Sequence, residues 1–386
     1  MRWRLPFAAR TLVLTLVVAL AACSAGGSAP APPPPAPPAT AAAPPSAPGA
    51  TTNAQSAPAP TAAAPAAPSS LVPVKAGLLA SASDAGIYVG DEKGYYRQQG
   101  IEIRYEQTDT VSTIPMLSTG QIDVGGPAVS PALINAFIRG VDLKMVADKG
   151  SVSSRANSYA ALVVRKDLLD SGAVRDYADL RGRTVALVPP RGASPNAVDF
   201  SRALARGGLT EDDVNLVELA YPDMNAAFAS KAIDVSETLE PLITAGINQG
   251  LFGRWKTIDE LTDFRQYAAI GYAPAFFRDR PEVARRFMVG YVQAVRAYND
   301  AFFKGVNRPE IVNVLVKHTS LKDPALYDQV VPPGLNPDGA IGLQSLQDDV
   351  AWYRQKGVIE QDLDLARVVD NQYVEYALQQ LGKYQP

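Results

Sequence analysis

The amino-acid sequence predicts an α/β protein made of two successive units. Three observations lead there. Short apolar runs alternate with helix-patterned stretches from residue 74 to 165, the alternation restarts at residue 184, and residues 71–386 are too many for one core. They suit two units of about 150 residues each.

The first unit opens with the apolar run 74–80, after which Ser83 or Asp84 can cap a helix passing Ile87 and Tyr88 toward Gly94. Residues 101–105 (IEIRY) alternate as a strand, 114–117 begin a helix, 122–124 form a strand and 130–139 a helix. Strands at 143–147 and 160–165 follow. The second unit runs strand 184–188 (TVALV), helix 195–206, strand 215–219, helix 224–230, strand 233–239. After 267–272 the chain turns helical. Within 281–303, Val283, Phe287, Tyr291 and Val295 recur every four residues beside Met288 and Val292, the stripe of a helix packed on a core.

The N-terminal 70 residues have another character. Arg2, Arg4 and Arg10 precede an apolar stretch at 11–20, then come Ala21, Ala22 and Cys23, the only cysteine. That is the layout of a secretory signal. Ten apolar residues rise about 15 Å as a helix, half of a ~30 Å hydrocarbon core, so a permanent span is not expected. One cysteine and one histidine, His318, leave no disulfide and no structural zinc site. Residues 24–70 hold 14 of the 32 prolines and no charged or aromatic residue, and predict an extended tether of at most about 150 Å. Without the three early arginines the formal charge moves from −3 to −6, with both signs interspersed, which gives no reason to expect nucleic acid.

Five stretches in order carry a resemblance: GIYVGDEKGYYRQQGIEI (86–103), LSTGQIDVGG (117–126), PALINAFIRG (131–140), DLRGRTVAL (179–187) and AIDVSETLEP (232–241). Together they resemble the periplasmic solute-binding proteins of ABC importers, in the branch of nitrate, alkanesulfonate, taurine and thiamine-pyrimidine binders. Leu20-Ala21-Ala22-Cys23 likewise resembles the bacterial lipobox, in which the cysteine is lipidated; the alternative is an ordinary cleaved signal with a chance cysteine.

The resemblance implies a two-lobed, type 2 periplasmic-binding-protein fold with two crossover segments, expected near 158–166 and 264–275. The expected division is a signal peptide at 1–22, lipidated Cys23 and tether at 23–70, lobe 1 at 71–165 plus 270–386, and lobe 2 at 166–269. It implies a monomer held by Cys23 at the outer face of the plasma membrane, passing a small solute to an ABC permease. The chain has no GxxxxGK[ST] motif, so the ATPase would be a separate subunit. No cofactor or metal is expected.

In such a fold the ligand sits beyond the strand ends, here the turns 81–84, 108–110, 126–130, 191–194 and Glu240-Pro241. The candidates are Ser83, Asp84, Tyr88, Thr110, Gly126, Ala128, Ser130, Tyr159, Arg191, Ser194, Glu240 and Tyr272. Each has two readings. Ser83 and Asp84 either cap a helix or touch ligand, and Gly125 and Gly126 either make a tight turn or admit ligand close to backbone. Arg191 either grips an anion or is solvated, and Glu240 either accepts a ligand N–H or is structural. Tyr88, Tyr159, Tyr221 and Tyr272 either stack on a ring or belong to core and rim. Two carboxylates offset only by Arg191 and Arg155 disfavour nitrate. A flat heterocycle such as riboflavin or a thiamine-precursor pyrimidine is expected, with taurine or an alkanesulfonate as the alternative. A pyrimidine synthase of the same superfamily needs a cysteine-rich segment that this chain lacks.

Overall fold

The computed structural model describes residues 70–109, 111–153, 158–189 and 194–385. Its strands are β1 (Val72–Leu78), β2 (Ile101–Gln107), β3 (Val124–Gly125), β4 (Lys144–Ser153), β5 (Ala160–Arg165), β6 (Thr184–Leu187), β7 (Asn215–Glu218), β8 (Val235–Leu239), β9 (Phe252–Thr257) and β10 (Phe264–Tyr272). They form two five-stranded sheets, ordered β2-β1-β3-β10-β4 and β7-β6-β8-β5-β9. In each, three strands pair in parallel, β1 with β2 and β3, β6 with β7 and β8. The other two join antiparallel. The parallel strands need crossover connections, which the helical segments between them supply.

The helices that position the site are α1 (Ala85–Glu92), α2 (Pro131–Ile138), α3 (Pro195–Arg206), α4 (Tyr221–Ala229), α5 (Leu242–Asn248), α6 (Pro281–Lys304) and α7 (Leu343–Gln355). The four-residue stripe of α6 is buried along its length, and the helix ends at Gly305, whose φ of 74° is the left-handed stop that glycine adopts without penalty. The first sheet packs with α1 and α6 in one large core, while the second has its own clusters around Phe200 and Phe228.

The crossings differ from the expected ones. Residues 160–165 form β5, hydrogen-bonded between β8 and β9 in the second sheet, and 264–272 form β10 in the first. Both segments are too apolar to be bare connectors: β5 is buried along almost its whole length, so it lies inside a sheet. The chain therefore leaves the first sheet after Ser153, enters the second at Ala160, and returns to the first between Thr257 and Phe264. Strand β9 was not foreseen; it is a half-exposed edge strand with little apolar patterning.

Candidate functional site

The loops after β1, β3, β6 and β8 lead into helices, so the carboxyl ends of both sheets present turns and helix N-termini to one space, as open α/β sheets require. That space is a cavity of about 810 Å³. One wall is made by residues 79–83, Gly126, Ala128, 130–132, Asn135 and Lys149, the other by Val188, Pro189, Ser194, Asn196, Tyr221 and Glu240, with Tyr159 and Tyr267 between.

Lys149 is the charge at the centre of the first wall. Its side chain is about 2% exposed, with Nζ 2.9 Å from Asp84 Oδ1 in an ion pair. Nζ also donates to Ser83 Oγ at 2.9 Å. The stem runs across Gly126, where a Cβ would stand 1.9 Å from Lys149 Cδ, so only glycine lets it pass. Asp84 Oδ2 accepts the backbone N–H groups of Leu79 and Ser81. This carboxylate pins the β1–α1 turn and lies just behind the wall.

On the second wall Glu240 is equally engaged: Oε2 accepts the Thr244 N–H at 3.0 Å and Oε1 pairs with Arg254. Ser194, at the N-cap of α3, donates to Asn196 Oδ1 at 2.6 Å. Asn196 Nδ2 has no partner among the described residues, although the residue is 1% exposed.

A buried charge network lies behind the tyrosines. Tyr267 donates to Asp199 Oδ2 at 2.8 Å and stands 3.2 Å from Glu237 Oε1. Arg265 Nε donates to Asp199 Oδ1 at 2.8 Å, and its Nη1 pairs with Asp349. Arg265, fully buried, thus pairs with two carboxylates, and Tyr267 links one of them, Asp199, to a third, Glu237. Burial, then the Asp199 charge, pushes the Glu237 carboxyl well above its usual range, and its Oε2 has no partner among the described residues.

Of the sequence candidates, Ser83, Gly126, Ala128, Ser130, Tyr159, Ser194 and Glu240 line the cavity. Tyr88 and Tyr272 do not. Tyr88 stacks on His318 with centroids 4.7 Å apart, and Tyr272 is fully buried in the first lobe's core, edge-on to Phe276. Thr110, Arg191, Arg155 and Cys23 lie outside the described residues. The sequence argument against an anion treated Asp84 and Glu240 as free carboxylates; Lys149 and Arg254 neutralise both. Sequence reasoning missed Lys149, Asn196 and Tyr267. For Lys149 there was a signal, a charged pair continuing the apolar run of β4, which marks a charge carried into a sheet.

This two-sheet α/β architecture, with a cavity at facing strand ends, is the fold of the periplasmic solute-binding proteins. The chain belongs to the NMT1/THI5-like family, whose model matches residues 81–301. No curated protein matches it. Among solved structures it is similar to the alkanesulfonate-binding protein SsuA from Xanthomonas axonopodis pv. citri bound to MOPS, at 17% identity and TM-score 0.61, over 79% of this chain and 100% of that one. It is similar to the nitrate-binding protein NrtA from Synechocystis PCC 6803, at 16% and 0.65, over 81% and 89%. It is also similar to the desulfurization enzyme DSZB, at 14% and 0.55, over 80% and 99%.

Proposed function

We propose that this chain is the extracytoplasmic solute-binding lipoprotein of an ABC import system, which captures a small organic solute and delivers it to the permease. The observation that carries the reading is the cavity walled by both sheets. About 810 Å³ lies within the range of pockets that enclose a drug-sized molecule, and a nitrate ion would leave most of it empty. The wall is largely aliphatic and aromatic, with Tyr159, Tyr221 and Tyr327 as rings, which favours a flat heterocycle such as riboflavin or a thiamine-precursor pyrimidine over taurine or an alkanesulfonate.

The protein acts as a tethered monomer without turnover. Lipidated Cys23 anchors it to the outer face of the plasma membrane and the proline-rich tether gives it reach. His318, the residue type most used for proton transfer, pairs with Glu92 and stacks on Tyr88 away from the cavity.

The test is thermal unfolding of the full chain in detergent with riboflavin, thiamine pyrimidine, thiamine, taurine, alkanesulfonates and nitrate. A specific solute at about 100 times its Kd adds ~2.7 kcal/mol, a rise of a few degrees. A rise with a ring compound, and recovery of that compound unchanged, supports the reading. Product formation makes the chain an enzyme, and no rise with any compound removes the proposal. Separately, incorporation of labelled fatty acid that is lost in Cys23→Ala supports the anchor.

A further inference from the structure

We propose that the solute is a ring compound rich in hydrogen-bond acceptors, neutral or singly negative, that accepts from Lys149 of the first lobe and from Asn196 of the second. This deepens the solute-receptor reading and rests on it.

The polar balance of the cavity carries the inference. An ammonium has three N–H donors; Lys149 donates one to Ser83 and is charge-paired with Asp84 Oδ1 at 2.9 Å, which leaves an N–H for the cavity. Asn196 Oδ1 is taken by Ser194, whereas Nδ2 has no partner among the described residues and is inaccessible to solvent. A buried donor left empty costs about 1–3 kcal/mol, so such a group in a cavity wall calls for an explanation. The carboxylate on the cavity wall that could have balanced these donors is spent, because Glu240 is held by Arg254 and the Thr244 N–H. The site therefore offers donors from two lobes and no free carboxylate among the described residues. Asp84 cancels the Lys149 charge, so a bare anion gains little from Lys149 and a cation finds no counter-ion. A ring bearing carbonyl, carboxylate or sulfonyl oxygens satisfies both donors at once, and only when the lobes are together.

The test uses two pairs of ring compounds on the full chain in detergent, the first matched in shape: 2-naphthalenesulfonate against 2-naphthylmethylammonium, and riboflavin against thiamine. Calorimetry is run on the parent chain, Asn196→Leu, Ser194→Ala, and the double variant Lys149→Met with Asp84→Asn, which removes the cation without stranding its carboxylate. In at least one pair the acceptor-bearing member binds and the cationic one is weaker by about tenfold or more. Asn196→Leu and the double variant each lose about tenfold for that member, the worth of one hydrogen bond. Ser194→Ala, which removes the partner of Oδ1 but leaves Nδ2 in place, loses less than Asn196→Leu does. Tighter binding of the cationic member overturns the inference, as does binding unchanged in both Asn196→Leu and the double variant. An equal loss in Ser194→Ala makes Asn196 a helix-start residue and overturns it too. If none of the four compounds binds the parent chain, the ring-solute reading fails and this inference falls with it.

Discussion

Glu237 sits in the middle of β8, fully buried, with one oxygen bonded to Tyr267 and the other without a hydrogen-bond partner among the described residues. Its carboxyl is raised by burial first and by the Asp199 charge second. The folded chain thus holds this proton more tightly than the unfolded chain does, so the associated stability is fully present below the unfolded value of 4.5 and is lost as pH rises through the folded value. Asp148 and Asp349 are also raised by burial, Asp349 to about 6, and act with the same sign. The unfolding midpoint should fall from pH 5 to pH 8, and Glu237→Gln, neutral and of equal shape, should flatten the fall; an unchanged slope would show Glu237 ionised in the fold. Gly126 yields a second prediction. Gly126→Ala forces the Lys149 stem from its track and should cost about 1–3 kcal/mol in denaturant unfolding, with weakened solute binding. At this scale the sequence was only partly legible. Turn residues such as Ser83, Ser130 and Ser194 could be placed because they begin helices, but nothing local told that Asp84 and Glu240 already had cations. Their partners lie 65 and 14 residues away.

Elements were far more legible than their junctions. The 3.6-residue stripe of α6 and the alternation of β2 are consequences of one buried face, and such patterns are read directly. The crossings were not, because β5 and β10 have the composition of interior strands and only pairing decides which sheet takes them. Contacts between elements depend on single glycines that no pattern marks. Gly86 of α1 faces Tyr291 of α6, where a Cβ would stand 2.4 Å from the ring, and Tyr291 donates across to the Asp148 carbonyl at 2.7 Å, beside Lys149. Seating of α1 on α6 thereby supports the strand that bears the central cation. Gly86→Ala should separate the helices at a cost of about 1–3 kcal/mol in urea unfolding. Tyr291→Phe, which keeps the ring and strands only a carbonyl, should cost about 1 kcal/mol.

For the whole molecule the question is what holds two sheets with separate cores around one cavity. Apart from the two crossings, one tie is a small apolar cluster in which Ile134 of α2 meets Val198 of α3 and Val350 and Tyr353 of α7. Another is Arg265, on a strand of the first sheet, bonded to Asp199 on a helix of the second, with Tyr267 of the same strand reaching Asp199 and Glu237. A buried ion pair contributes little net stability against its desolvation, yet removing one partner costs roughly 3–5 kcal/mol because the other charge is stranded. The tie therefore defines the closed arrangement more than it stabilises either lobe. Replacing Arg265, Asp199 and Asp349 together by Met, Leu and Leu should leave the unfolding midpoint within about 1 kcal/mol of the parent, since no charge of that trio is left unpaired. The same variant should have a larger radius of gyration by small-angle scattering without solute, and weaker solute binding, because closure loses its directional contact. If the scattering curve is unchanged, the apolar cluster and the remaining polar contacts, Tyr267 to Glu237 among them, hold the lobes and Arg265 serves only to balance buried carboxylates.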